Sequence, residues 1–155
     1  TQCLFGEHLL KQFPDMPVAL VESEKTAIIC SGLMPNYLWL ATGGKSQFNE
    51  RLKVLYGRDV VAFPDVDGYN EWCEKVKDFP DLKISVSSLL QSNATPEDIE
   101  NHIDIADWLI RWKLHPETFE TQKVNITFEK VKAFISEEYQ DEVLALIEYL
   151  DLKIL

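Results

Sequence analysis

The sequence predicts an α/β fold in which a mostly parallel sheet of four strands carries helices on both faces. Short, unbroken apolar runs, typical of strands buried on both faces, alternate with segments whose apolar residues recur at helical spacing. The connections are short, so parallel strands must be joined by right-handed helical crossovers. At 155 residues and 46% hydrophobic content, the chain is long enough to bury one complete core.

The first elements are a lead-in helix and a strand followed by a helix. Residues 3–13 place apolar side chains at helical spacing, and the prolines after them end that pattern. The run 18–21 (VALV) is the first strand, and it stops at its first charge, Glu22. Ser23 is a suitable N-cap for a helix over residues 26–31.

The rest of the first 115 residues repeats this alternation. In chain order, the sequence predicts a strand at 37–41, a glycine turn at 42–45, a helix at 48–57, a strand at 59–63, a helix at 69–79, a strand at 83–86, and a helix that starts at Thr95 with a capping box and leads to 104–108. Ligands of such sheets bind at the carboxyl ends of the strands. Residues that directly follow the strands are therefore the first candidates for a functional site.

The chain is expected to divide at residue 115. Residues 1–115 form the α/β domain, whereas residues 116–155 begin as a polar linker and continue as an acidic tail of one or two amphipathic helices. The formal net charge of -11 argues against a protein that holds nucleic acid on a broadly basic surface. The tail is more acidic per residue than the domain, and bound divalent metal would offset clustered carboxylates locally.

The cysteines and the charge pattern indicate a soluble protein of the reducing cytoplasm, with no membrane association. Cys3, Cys30 and Cys73 lie far apart with no CxxC, which indicates neither a zinc site nor a disulfide framework. No apolar run approaches the roughly 20 residues that a membrane-spanning helix requires, and charges interrupt the N-terminal stretch where a signal peptide would be apolar. Because the chain begins at Thr1 rather than methionine, we expect a fragment whose upstream modules lie outside the sequence.

Acidic residues follow two of the predicted strands. Glu22 closes the first strand, and Asp65 and Asp67 close the third. A parallel sheet brings these ends to one edge, where carboxylates repel one another unless a hard cation lies between them. Two-residue spacing in an extended stretch directs Asp65 and Asp67 the same way, and Gly68 would let the backbone turn close beside a bound metal ion. A lone DxD is usually a solvated loop and a lone Glu a helix-start charge, but the joint placement favours a Mg²⁺ site.

Two other phosphate-handling sites are disfavoured. The turn TGGKS lacks the G-x-x-x-x-G-K-[ST] spacing of a phosphate loop. A phospho-receiver domain also carries carboxylates at its strand ends, but it requires an acidic pair after the first strand and a single acceptor Asp after the third. Here the acidic pair follows the third strand instead.

The acidic motifs resemble those of the Toprim domain family. The run VALVESEKTAIICSG is similar to the first Toprim motif, an apolar strand ending in an essential Glu, and VVAFPDVDGYNEWCEK is similar to the second, an apolar strand ending in DxD. Asp104 and Asp107 in HIDIADWLI resemble the acidic stretch after the fourth strand of primase-type members. The lead-in helix and the ATGG turn fit the phage and mobile-element primase branch. The resemblance covers about residues 1–112 and implies a Toprim, Rossmann-like fold.

The resemblance implies a role for each acidic residue. Glu22 would act as general acid or base in making or breaking a phosphodiester bond. Asp65 and Asp67 would hold Mg²⁺, or Mn²⁺, with Glu22 as a further ligand. Asp104 and Asp107 would support a second metal ion, unless they are helix-capping or surface charges.

Lys25 is the candidate for binding the nucleotide. It lies one turn into the helix that follows Glu22, where it would contact a phosphate. A solvated charge and an ion-pair partner for Glu22 are the two alternatives.

The expected function is a Mg²⁺-dependent nucleotidyl-transfer or phosphodiester-cleaving module of a primase-like protein of DNA replication or of a mobile element. Its expected partners are nucleic acid, with DNA favoured, nucleotides, and a helicase or other replication protein. The alternatives are a Toprim-type nuclease and a catalytically inactive Toprim-fold module that recruits a partner through its acidic tail. The sequence contains no zinc ribbon, basic subdomain or tyrosine domain, so complete primase or topoisomerase activity is not expected of this segment alone.

Overall fold

The computed structural model describes residues 3–115, which belong to one compact unit, and the predicted acidic tail over 116–155 lies outside the described residues. Four strands form one sheet in the order β2-β1-β3-β4, and every neighbouring pair is parallel. They are β1 (Val18–Val21), β2 (Leu38–Ala41), β3 (Asp59–Ala62) and β4 (Lys83–Val86). The prediction of an α/β fold with a four-stranded parallel sheet is confirmed.

Helical segments connect the strands. They are α1 (Glu24–Leu33), α2 (Tyr69–Val76), α3 (Leu89–Asn93), α4 (Pro96–Glu100) and α5 (Ile105–Leu114), with short 3₁₀ helices at Glu7–Lys11, Lys45–Gln47 and Glu50–Leu55. Ser23 caps α1 as predicted, since its side-chain oxygen accepts from the Thr26 backbone N–H. No helix in residues 3–115 is long and apolar enough to cross a membrane.

The sheet separates two hydrophobic clusters. Along β1, Val18 and Leu20 point to one cluster, which contains Trp72 of α2, whereas Ala19 and Val21 point to the other. The second cluster contains buried residues of α1 and α5. All four residues of β1 are fully buried, which explains the unbroken apolar run in the sequence. Helices therefore cover both faces, as predicted.

The predicted lead-in helix over residues 3–13 is wrong in extent and type. Phe5 instead forms an isolated antiparallel bridge with Ala41, and Gly6 has a φ of 79°, so the chain becomes helical only at Glu7. A Cβ at Gly6 would lie 2.9 Å from the Leu40 side chain, so the tight passage over β2 requires glycine there. Periodicity alone could not show this competing bridge.

Three other helix boundaries differ from the predictions. The apolar residues predicted to form an α-helix at 48–57 are buried, but the segment is a 3₁₀ helix, whose spacing is also close to three residues. Helix α2 ends at Val76 rather than at Phe79. The helix that starts at Thr95 has the predicted capping box but stops at Glu100, because the chain reverses around His102, whose φ is 49°, before α5 begins.

Candidate functional site

The candidate site lies at the carboxyl ends of β1 and β3, the two central strands of the sheet. The Phe63 backbone N–H donates to the Leu20 carbonyl oxygen at 2.8 Å, which holds the two strand ends together as far as the acidic residues. The helices that follow these strands, α1 and α2, pack on opposite faces of the sheet. This divergence is the position at which open parallel sheets are expected to bind ligands.

Glu22 is a buried acid at this edge. It is only 8% exposed, and its Oε1 atom has no hydrogen-bond partner within residues 3–115. Burial raises the pKa of its carboxyl group, a hydrogen bond from the Asp65 backbone and the charge of Lys45 lower it, and the charge of Asp67 raises it. A buried, unpaired carboxylate oxygen costs free energy unless a ligand satisfies it.

Gly68 leaves the space into which the Glu22 carboxylate extends. A Cβ at Gly68 would lie 2.9 Å from Glu22 Oε1 and 3.1 Å from the Pro64 Cβ. Since its φ is −95°, Gly68 is required for room and not for a left-handed turn. The sequence pattern predicted close approach at this glycine, and the group that approaches it is the carboxylate itself.

Asp65 and Asp67 are not on one extended stretch, so that part of the prediction is wrong. The chain turns at residues 66–68, where the Gly68 N–H donates to the Asp65 carbonyl oxygen at 2.8 Å. Val66, between them, is buried and donates its N–H to the Ile103 carbonyl oxygen at 3.1 Å. Asp65 is half-buried, whereas Asp67 is exposed.

Asp65 has the largest pKa shift among the acids of this edge. Burial, followed by the charges of Glu22, Asp104 and Asp67, raises the pKa of its carboxyl group to about 7, and Lys45 only partly opposes them. Glu22, Asp65 and Asp67 are therefore close enough to repel one another. These are the three acids that were predicted to lie near one another because they follow two parallel strands.

Lys45 is a site residue that the sequence did not single out. Its Nζ atom lies 3.2 Å from Asp67 Oδ2, donates to the Asp67 carbonyl oxygen at 3.1 Å, and lies 3.8 Å from Glu71 Oε2. Partial burial lowers the pKa of this ammonium, but the hydrogen bond to Asp67 and the surrounding negative charges, including that of Glu22, raise it by more. The only available signal was that the glycine turn follows β2 at the same edge of the sheet.

Lys25 has a different partner from those considered in the sequence. Its Nζ atom lies 3.5 Å from Asp104 Oδ2, so it does not pair with Glu22, and its side chain is 65% exposed. A contact between Lys25 and a phosphate stays a prediction.

Asp104 and Asp107 form the capping box of α5. The Asp107 N–H donates to Asp104 Oδ1 at 2.9 Å, the Asp104 N–H donates to Asp107 Oδ2 at 3.2 Å, and the Thr26 hydroxyl donates to Asp104 Oδ2 at 2.6 Å. Helix capping, one of the two expected roles, thus accounts for both side chains. Asp104 still contributes negative charge to the edge, because it raises the pKa of Asp65.

His102 is a second residue that the sequence did not single out. Its Nδ1 atom lies 3.8 Å from Asp67 Oδ2, and its side chain is 72% exposed. The reversal between α4 and α5 brings it there, and no local pattern in the sequence predicts that reversal.

The side chains at this edge fit a hard cation in chemistry, although they do not form a closed set of ligands. No group of three or more His, Cys, Asp or Glu side chains in the described part of the chain is arranged to hold a metal ion as it stands. Asp67 is in addition paired with Lys45. The unpaired Oε1 of Glu22 and the raised pKa of Asp65 both indicate carboxylates without enough positive charge near them, and carboxylate oxygens are the ligands that Mg²⁺ prefers.

A cavity of about 460 Å³ lies beside the glycine turn. It is lined by Cys3, Phe5, Glu24, Thr42, Gly43, Gln47 and Arg51. The Gly43 backbone N–H donates to the Glu22 carbonyl oxygen at 2.9 Å, so the cavity lies near the end of β1, although Glu22, Asp65 and Asp67 are not among its lining residues. Its volume is within the usual range for small-molecule sites, about 300–1,000 Å³.

Comparison with known proteins yields one partial match. A family model described as a domain of unknown function (DUF6371) matches residues 1–66. The matched segment includes β1 to β3, Glu22 and Asp65, and it ends before Asp67. No curated protein and no solved structure matches the chain. Any function proposed for the chain therefore rests on the fold and on the electrostatics of the strand ends.

Proposed function

We propose that this domain is a Toprim-type, Mg²⁺-dependent module that makes or breaks phosphodiester bonds, as part of a primase-like protein of DNA replication or of a mobile element. One observation carries the proposal. At the carboxyl ends of β1 and β3, Glu22, Asp65 and Asp67 concentrate negative charge, and one buried carboxylate oxygen has no partner in the described residues. A divalent cation is the simplest ligand that satisfies such an edge.

The three acids have different roles. Asp65 and Asp67, which flank the turn at residues 66–68, would hold the ion, with Glu22 as a further ligand from β1. When bound, Mg²⁺ supplies charge screening and polarisation at the transferred phosphate. Glu22 is suited to accept or donate a proton, because burial raises its pKa from that of an exposed acid.

The substrate class follows from charge. The chain has a formal net charge of -11, which argues against a broad basic surface that would hold a nucleic acid backbone. Mg²⁺ would therefore provide the main positive charge for the phosphate, together with Lys45. The nearby cavity has room for the nucleoside part of a nucleotide or of a strand terminus.

Thermal unfolding during a Mg²⁺ titration tests the site. We expect Mg²⁺ or Mn²⁺ to raise the melting temperature of the wild type, because the ion binds only the folded edge. The double variant Asp65→Asn with Asp67→Asn should lose this increase. A matched control is Asp78→Asn with Asp81→Asn, which removes the same charge from two exposed acids after α2 and should keep it. Identical Mg²⁺ responses in the wild type and the double variant would contradict the metal site.

An assay on nucleic acid separates the possible reactions. Wild-type protein with Mg²⁺ is incubated with nucleotides and primed DNA, and separately with nicked DNA. Nucleotide addition would support a transferase and cleavage a nuclease, and Glu22→Gln should abolish either. Retained Mg²⁺ binding with neither reaction would favour the catalytically inactive interaction module.

A further inference from the structure

Lys45 is the only described lysine whose ammonium group contacts Asp67. Its Nζ atom forms an ion pair with the Asp67 carboxylate at 3.2 Å and donates to the Asp67 backbone carbonyl oxygen at 3.1 Å. Glu71 adds a longer ion pair at 3.8 Å. The charge of Lys45 also lowers the pKa values of Glu22 and Asp65, so one ammonium group interacts with all three acids.

The backbone and a second lysine hold Lys45 in place. Gly43 and Gly44 have φ values of 84° and 136°, which only glycine adopts readily, and the turn they form leads Lys45 back over the strand ends. Lys75 of α2 donates to the Lys45 carbonyl oxygen at 3.0 Å and forms an ion pair with Glu71 at 2.6 Å. The Lys45 side chain is only 33% exposed. It is therefore held at the edge, unlike Lys25, whose side chain is 65% exposed.

Lys45 and a metal ion would need the same carboxylate. Asp67 Oδ2, 3.2 Å from the ammonium, is an oxygen that a Mg²⁺ ligand set at this edge would use. An ammonium group and a dication in contact with one carboxylate repel each other. Binding of the ion must then weaken the contact between Lys45 and Asp67, which leaves the ammonium free beside the metal position.

We propose that Lys45 is the internal counter-cation of this site: it neutralises Asp67 in the metal-free protein, Mg²⁺ displaces it, and the displaced ammonium binds a phosphate oxygen of the substrate. The inference rests on the proposed function and adds a phosphate-binding residue to it. Lys45 makes two opposite contributions, because it weakens Mg²⁺ binding and strengthens phosphate binding.

Calorimetry on Lys45→Met tests both contributions. Removing one positive charge next to the metal position should tighten Mg²⁺ binding about tenfold. With Mg²⁺ saturating, the affinity for inorganic phosphate should fall about tenfold, because a charge-assisted hydrogen bond is lost. Lys45→Arg keeps the charge and should restore wild-type-like values for both ligands. The matched control is Lys77→Met, at the far end of α2, where a 68% exposed lysine pairs with Glu74, and it should change neither affinity by more than about twofold.

A measurement on the wild type tests the proposal even if the Lys45→Met variant fails to fold. The side-chain NMR signal of Lys45, assigned by its absence in Lys45→Arg, should shift when Mg²⁺ is added and shift again when phosphate is added. Unchanged or weaker Mg²⁺ binding in folded Lys45→Met, or a Lys45 signal that ignores Mg²⁺, would overturn the role of Lys45 while leaving the metal site intact. Absence of Mg²⁺ binding in both the wild type and Lys45→Met would overturn the proposed function as well.

Discussion

Asp98 and Asp65 are both aspartates withdrawn from water, and their surroundings shift their pKa values in opposite directions. Asp98 is 3% exposed, and Arg111 donates to its Oδ1 at 2.6 Å while the Thr95 backbone N–H donates to its Oδ2 at 2.9 Å. The hydrogen bond from Arg111 is the main cause that lowers the pKa of Asp98 to about 2. At Asp65, burial and the charges of Glu22 and other acids raise the pKa to about 7.

The difference separates a carboxylate whose charge stabilises the fold from one whose charge is unfavourable in the fold. Asp98 has a partner for each of its oxygens and ties α4 to α5, so its charge stabilises the fold. Asp65 lies among like charges that Lys45 only partly offsets, so its charge destabilises the metal-free fold. Folded proteins keep such unfavourable groups mainly where a ligand uses them.

The largest expected effect is at Asp98. Asp98→Ala removes the ion pair with Arg111 and half of a capping box, and it should lower the free energy of unfolding by about 3 kcal/mol. Urea denaturation at neutral pH measures this loss. Glu97→Ala, an exposed position in the same turn, is the control and should change stability by no more than about 0.5 kcal/mol. Equal losses in the two variants would show that Asp98 is not a structural anchor.

The same pair gives the pH dependence of stability on the acid side. The pKa of Asp98 is about 2 in the folded protein against 3.8 without its partners, so the unfolded chain binds the proton first as pH falls. The stabilisation is therefore complete above about pH 4 and disappears as the pH approaches 2. The acid limb of the Asp98→Ala variant should be shallower than that of the wild type.

Asp65→Asn should have an effect of the opposite sign. The raised pKa means that folded Asp65 keeps its proton to about pH 7, so ionisation at higher pH costs stability that asparagine avoids. In the absence of divalent metal at pH 8, Asp65→Asn should raise the free energy of unfolding by about 2 kcal/mol, and the gain should shrink at pH 5. Denaturation in EDTA at both pH values measures it. A variant less stable than the wild type at pH 8 would remove the contrast between the two aspartates.

The fold was most predictable where its strands are buried on both faces. The runs 18–21 and 38–41 appear in the sequence as short apolar segments, and the structure has fully buried strands at these residues. The extents of the helices were less predictable, because contacts distant in sequence decide them. The bridge between Phe5 and Ala41 shortens the first helix, and a spacing of three to four residues does not distinguish a 3₁₀ from an α-helix at 50–55.

The candidate site was predictable only where chain order determines position. Glu22 and Asp65 follow neighbouring parallel strands, so the topology alone brings them together. Lys45 reaches Asp67 across 22 residues through a turn of two left-handed glycines, and His102 arrives through a reversal between two short helices. These contacts depend on loop conformations that periodicity does not encode.

The smallest expected effect is at Gly68, and it tests whether the Glu22 carboxylate faces a bound ion. A Cβ at Gly68 would lie 2.9 Å from Glu22 Oε1, so Gly68→Ala must displace the carboxylate or its own turn and should cost about 1 kcal/mol. Gly32→Ala is a matched control, because Gly32 lies in α1 and a Cβ there would meet nothing within 4 Å beyond its own stretch of helix. Alanine there should stabilise the helix by up to about 1 kcal/mol.

If Glu22 is a ligand, Gly68→Ala should also weaken the Mg²⁺-dependent rise in melting temperature, whereas Gly32→Ala should leave that rise unchanged. Equal Mg²⁺ responses in the two variants would indicate that the unpaired carboxylate oxygen does not face the ion.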